Sequence, residues 1–291
     1  MKKEEFLAFL SRGPLLLDGA TGSSLRAAGM PREAVTELWV DRNPQALLEL
    51  QRAYVEAGSR ILYAPTFQAN SVALGKAGWQ GDVEKLNARL VSLSREAAQG
   101  RALVAGDMAT MAGCLDAWDG ANFDRMVEGY RRQVAGLLEG GADLMVGETL
   151  LYPQEAEAIF TAVQLEAGDV AVLLSFTMDD SGSLFSGRET GPILRELEQA
   201  GAAAVGFNCV AASERLPALV SRLRRYVRGP LISKPNAGSP VIGPSGLAEY
   251  PMGPEEFARL QKEASCLGAS LLGGCCGTTP EFIRALTENL R

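Results

Sequence analysis

No histidine occurs among the 291 residues. Its absence excludes Ser–His–Asp and Cys–His nucleophilic catalysis, imidazole general bases, and every metal site that needs an imidazole ligand. Long apolar runs are also missing, and none reaches the roughly 18 residues of a membrane-spanning helix. Positive charge is in deficit: 28 Lys and Arg against 35 Asp and Glu give −7. That argues against nucleic acid or an anionic membrane as the main partner. The opening Met1-Lys2-Lys3-Glu4-Glu5 is charged and lacks the apolar core and small-residue cleavage site of an export signal. The expected compartment is therefore the reducing cytoplasm. There, an odd count of 5 cysteines points to metal binding or thiol chemistry before disulfides.

What is present is ordinary globular composition, 47% hydrophobic and 22% charged, which disfavours disorder and collagen-like repeats. A short apolar run followed by a longer amphipathic segment recurs along the chain. The runs are residues 14–18, 60–64, 102–105, 143–147, 170–176, 203–207, 230–233 and 270–273. They are brief and rich in Val, Leu, Ile and Ala, as strands buried on both faces are. Between them, residues 123–138 place Phe123, Met126, Val127, Tyr130, Val134, Leu137 and Leu138 on one helical face. Residues 45–57 do the same after Asn43-Pro44, an N-cap followed by proline at the first helical position. Gly58, Gly141 and Gly201 stand where three helices should stop in a left-handed residue. Eight strand–helix alternations predict an α/β chain folded as a single-domain (βα)8 TIM barrel. The alternative, a doubly wound open sheet, is disfavoured because no Gly-x-Gly-x-x-Gly follows the first run.

Active-site residues of such barrels lie at the C-terminal ends of the strands. Polar residues and thiols gather just after the runs: Asp18-Gly19-Ala20, Asp107, Glu148-Thr149, Asn208-Cys209, Lys234-Pro235-Asn236 and Cys275-Cys276. Neighbouring Cα atoms lie about 3.8 Å apart, below the usual disulfide range of about 4.4–6.8 Å, so Cys275-Cys276 is a poor disulfide. The flanking glycines free both side chains to turn toward one point. Cys209 ends the sixth run, one strand away from the eighth, about 10 Å at two interstrand steps. Three converging thiolates suit Zn²⁺ and leave one coordination position open. A closed site with a fourth cysteine, redox thiols and unrelated buried cysteines are the other readings. Cys266, in the helical stretch 255–267, reads as a small buried thiol. Cys114 stays open as a fourth ligand.

Asn208-Cys209 followed by Gly273-Gly274-Cys275-Cys276-Gly277-Thr278-Thr279-Pro280 resembles the zinc signature of the homocysteine S-methyltransferase family. That family comprises the homocysteine module of cobalamin-dependent methionine synthase and the betaine- and S-methylmethionine-dependent enzymes. The resemblance extends over nearly the whole chain, through Asp18-Gly19-Ala20-Thr21-Gly22, Glu37-Leu38-Trp39 with Asn43-Pro44, Glu148-Thr149 and Pro235-Asn236-Ala237-Gly238. It implies a homocysteine-binding barrel over residues 1–291, with zinc on Cys209, Cys275 and Cys276 at the C-terminal face. It also implies homocysteine as acceptor, its sulfur in the fourth zinc position, and methionine as product. By the same resemblance Glu148 holds the substrate ammonium, and Asp18, Gly19 and Ala20 hold the amino-acid end. The methyl donor is S-methylmethionine or a methyl-corrinoid or methyltetrahydrofolate partner, such as a separate corrinoid protein. Two loops depart from the family pattern. Ala64-Pro65-Thr66-Phe67-Gln68 replaces the usual Thr-Asn-Thr-Phe-Gly of the methionine-synthase branch, and Gly106-Asp107-Met108-Ala109 stands where a Gly-Pro turn is common.

Each residue also has a plainer reading. Glu148 reads also as a structural ion pair, Asp18 as a helix cap, Asn208 as a turn residue rather than a substrate ligand, and Asp107 as a capping or paired acid. Thr279-Pro280 reads as a helix start that fixes the cysteine loop. The functional alternatives are methyl transfer to another small thiol or selenol, a barrel enzyme binding phosphate in its last glycine-rich loop, and a non-catalytic zinc or thiol sensor.

Overall fold

All eight apolar runs become parallel strands. They are β1 (Leu15–Leu16), β2 (Ile61–Tyr63), β3 (Leu103–Ala109), β4 (Leu144–Leu150), β5 (Val172–Phe176), β6 (Ala204–Ala211), β7 (Leu231–Asn236) and β8 (Ala269–Leu272). The computed structural model describes all residues except 12, 112–114, 116–118, 244, 245, 247 and 291. Each strand pairs with the next, β8 pairs with β1, and a parallel bridge between Leu17 and Ile61 closes the ring. The Arg60 amide donates to the Leu16 carbonyl at 2.7 Å across the same seam. The eight-stranded barrel is the expected one, with the polar segments placed differently. On β3, β4, β6 and β7 the strands run on through Asp107, Glu148, Asn208-Cys209 and Lys234, which the apolar pattern had placed after them. Neighbouring strands satisfy the backbone there, so polar side chains do not end the ladder.

Period-two alternation sorts the strand residues between two layers. Leu17, Ile61, Ala105, Val146, Leu173, Ile232 and Leu271 fill the barrel interior with Phe6. The latter comes from the N-terminal helix Lys3–Leu10, which seals the end away from the polar residues. The Met1 ammonium donates to the Asp143 carbonyl at 2.6 Å, just before β4. Alternate residues such as Val104, Met145, Leu174 and Val205 pack outward against helices that include Pro44–Ala57, Gly120–Glu139 and Pro280–Asn289. The three helix-ending glycines have φ of 121° (Gly58), 85° (Gly141) and 120° (Gly201), as the sequence predicts. Among the described residues no helix is long and apolar enough to cross a membrane.

The first and last loops of the ring are tied together from outside. Tyr54, fully buried in the helix Pro44–Ala57, brings its hydroxyl to 2.9 Å from the Ala20 carbonyl and 3.2 Å from that of Thr278. The Ala20 amide donates to the Thr278 hydroxyl at 3.2 Å. A Cβ on Gly19 would lie 2.6 Å from the Tyr54 oxygen, so glycine is required by this close approach. Tyr54→Phe should lower the unfolding free energy by about 1–3 kcal/mol, the cost of two buried carbonyls losing a donor, as measured by urea denaturation.

Candidate functional site

Three of the cysteines converge at the C-terminal mouth. The register of β6 against β7 shifts between Asn208 and Ala211, and Cys209 sits at the break with φ 57°. A left-handed non-glycine residue is uncommon, and here it turns the thiol toward β8. Asn236 fixes both halves of the cluster: its side-chain amide donates to the Cys209 carbonyl at 3.1 Å and accepts from the Cys276 amide at 3.0 Å. The Cys275 amide donates to the Pro235 carbonyl at 2.7 Å, and the Thr278 hydroxyl to the Cys275 carbonyl at 2.7 Å. Gly277, at φ 81°, lies against Tyr250, where a Cβ would approach ring carbon to 2.3 Å. The result is three sulfur atoms within 4.8 Å of one another. Hydrogen bonds from Cys209 and Cys275, aided by Tyr250 and opposed by burial, bring the Cys276 thiol down to about 3. The bonding to Cys275 and Cys276 pushes Cys209 up.

Beneath the thiols lies a charged floor. Lys234 of β7 is 3% exposed, with its Nζ 3.8 Å from Asp18 Oδ1, 3.5 Å from Glu148 Oε2 and 4.7 Å from the centroid of the Tyr63 ring. Burial disfavours its charge, but Glu148 and Asp18 outweigh that and raise its pKa well above the lysine value. Burial pushes the Asp18 and Glu148 carboxyls up to about 7, against the pull of Lys234. Asp107, 4% exposed, is pushed well above the usual carboxylate range by burial and then by Glu148.

Asn208 links the floor to the thiols. Its Oδ1 accepts from the Thr149 amide at 2.7 Å and the Ser175 hydroxyl at 3.0 Å. Its Nδ2 donates to Thr149 Oγ1 at 2.7 Å and Glu148 Oε2 at 3.2 Å. Thr149 is itself left-handed at φ 56°, at a register shift of β4 against β5.

A cavity of about 480 Å³ opens over this arrangement. Gly19, Ala20, Asp107, Glu148, Lys234 and the three cysteines line its inner end, and Ala34, Val35, Phe67 and Leu74 line an apolar outer part. The structure thus brings together most residues singled out in the sequence. Asp18 lies behind the cavity wall, its Oδ2 accepting from the Tyr63 amide at 2.7 Å. It is not a cap, since the next helix, Gly22–Ala27, starts after Thr21. Asn208 is a strand residue, not a turn, with its amide spent on protein partners. Glu148 both pairs with Lys234 and faces the cavity. Thr279 does precede the last helix, with Pro280 at its first position, but its hydroxyl donates to Glu281. Cys266 corrects the sequence reading: it is exposed, the last residue of the helix Pro254–Cys266, where the helical face turns outward. Cys114 lies outside the described residues. Lys234 and Asn236 had no role from sequence; the signal was their position in the run Lys234-Pro235-Asn236 at a strand end.

Lys234→Met leaves two buried carboxylates without a countercharge. At pH 8, above both carboxyl pKa values, it should lower the unfolding free energy by about 3–5 kcal/mol. At pH 5, where burial keeps both acids protonated, the loss should shrink. Urea denaturation at the two pH values checks both the size and the direction.

A profile of the homocysteine S-methyltransferase family matches residues 15–290. The chain is 30% identical to methionine synthase of Mycobacterium leprae, over 96% of this chain and 24% of that protein. It is equally 30% identical to methionine synthase of Mycobacterium tuberculosis, over 96% and 25%. It therefore spans about a quarter of the length of these curated relatives. Among solved structures, the metallated form of the homocysteine methyltransferase MmuM from Escherichia coli matches with a TM-score of 0.80 at 28% identity, covering 97% of this chain and 98% of that one. The apo form of the same protein matches with a TM-score of 0.75 at 25% identity, with the same coverage. With the barrel, the cysteine loop and the family profile in agreement over nearly the full length, the chain belongs to the homocysteine S-methyltransferase family of methyl-transferring enzymes.

Proposed function

We propose that this barrel transfers a methyl group to the thiol of homocysteine, giving methionine, with zinc held by Cys209, Cys275 and Cys276. The observation that carries the reading is the convergence of three thiols within 4.8 Å on the wall of a cavity whose floor is acidic. The donor set suits the metal: at a zinc–sulfur distance of about 2.3 Å, tetrahedral ligands stand just under 4 Å apart, inside the observed spread. Three soft sulfur donors also favour zinc over magnesium or calcium. When bound, zinc supplies Lewis acidity that ionises a thiol at neutral pH without a histidine base.

The chain's own residues do the rest. Glu148 faces the cavity and offers a carboxylate to the substrate ammonium. Gly19 and Ala20 wall the side where the amino-acid end would lie, held there by Tyr54 and Thr278. Asp18 acts through Lys234, keeping its ammonium group against Glu148. Asn208 fixes the distance between Glu148 and the cysteine-bearing strand. The apolar outer cavity admits the donor and excludes water. The new S–CH3 bond forms as the donor–CH3 bond breaks, and the donor leaves with the bonding pair.

Two donor classes have support. One, which the family resemblance implies, is a free small donor such as S-methylmethionine. The other, which the resemblance to the methionine-synthase branch implies, is a protein-bound methyl group with a separate corrinoid protein as partner. Zinc-loaded protein with homocysteine, offered S-methylmethionine, betaine and methylcobalamin in parallel, should form methionine from at least one. Cys275→Ser should lower that rate more than about 100-fold. A Cys275→Ser protein with full activity, or a wild type that methylates a different thiol in preference, contradicts the reading.

A further inference from the structure

Three carboxylates and one cation meet in the barrel mouth, and the cation serves two of them. Lys234 lies 3.8 Å from Asp18 and 3.5 Å from Glu148. Among the described residues no ion pair reaches Asp107, and its Oδ1, though buried, has no hydrogen-bond partner. An unpaired buried acid costs stability, so its retention on a cavity wall points to a cationic ligand.

The geometry narrows the cation. The Asp107 backbone is fixed: its amide donates to the Thr66 hydroxyl at 3.0 Å, and its main-chain carbonyl accepts from that hydroxyl at 2.8 Å and from Gln133 at 3.3 Å. On β3, Ala109 is in register with Glu148 of β4, and Asp107 lies two residues earlier on the same face. Both carboxylates line the cavity beside the cysteines. Lys234 disfavours a second metal ion here by repulsion, and too few oxygen atoms gather to ligate one. A primary ammonium group, singly charged with three donors, matches two carboxylates on the same face of neighbouring strands, of which one is already compensated.

We propose that Asp107 is a specificity-determining residue that takes up the α-ammonium of the amino-acid thiol alongside Glu148, so that aminated acceptors are selected over thiols lacking the amine. The assignment rests on the methyltransferase reading above. It explains why this acid lines the cavity with no ion pair from the described residues and with a buried Oδ1 that accepts no hydrogen bond.

The test compares homocysteine with 4-mercaptobutanoate, which is homocysteine without its amino group, in wild type and Asp107→Asn. The preference for homocysteine should fall about 10- to 100-fold in the variant, the size of a lost charge-assisted hydrogen bond. The loss should be seen as a raised KM for homocysteine with little change in kcat. Since Asp107→Asn removes an unpaired acid and no protein contact, it should unfold no earlier than wild type in a thermal scan. An unchanged preference, equal losses on both acceptors, or early unfolding overturns the assignment. Wild-type turnover of homocysteine in the same series tests the parent reading, so failure there and failure of Asp107 are separate results.

Discussion

Lys234 brings its ammonium group into the mouth of the barrel, between Asp18 after β1 and Glu148 on β4, and over the ring of Tyr63 on β2. Strands from opposite sides of the ring thus share one charge in a medium that screens it poorly. Without that cation the floor of the cavity would hold three acids and nothing to balance them. With it, two acids are compensated and a third is left facing the cavity. The residual negative charge of the site is set by this single side chain.

The thiol cluster above the floor depends on a different physics. Its position comes from two backbone irregularities, the left-handed Cys209 and the glycine-flanked Cys275-Cys276 turn, locked by the side-chain amide of Asn236. Strain of this kind persists only where surrounding hydrogen bonds over-determine it. Asn208 supplies that over-determination on the other side, joining Thr149, Ser175 and Glu148. The two halves of the site are therefore one rigid unit. The spacing between the thiol cluster and Glu148 is fixed by these bonds.

Much of this was legible in the sequence. Runs such as residues 170–176 could be little but buried strands, and the doubled cysteine after two glycines marked the place where three thiols converge. Strand ends were read short because Lys234-Pro235-Asn236 and Asn208-Cys209 look like turns to any rule based on apolar pattern. Lys234 went unassigned because its burial is made tolerable by Asp18 and Glu148, which are 216 and 86 residues away in the chain and meet only in the closed barrel. Cys266 was misplaced for the opposite reason: cysteine is usually buried, and only the phase of its helix sets it outside. Asp107 stood out at the end of the third run but was read as a capping or paired acid, since an unpaired acid can be recognised only when its surroundings are known.

The central claim is that Cys209, Cys275 and Cys276 form one metal centre. Anaerobic zinc titration of the metal-free protein, with free thiols counted before and after, tests it most directly. One zinc per chain should bind tightly and protect three thiols, and Cys209→Ser should abolish that tight binding. Retention of zinc without Cys209, or no stoichiometric zinc in the wild type, would contradict the account.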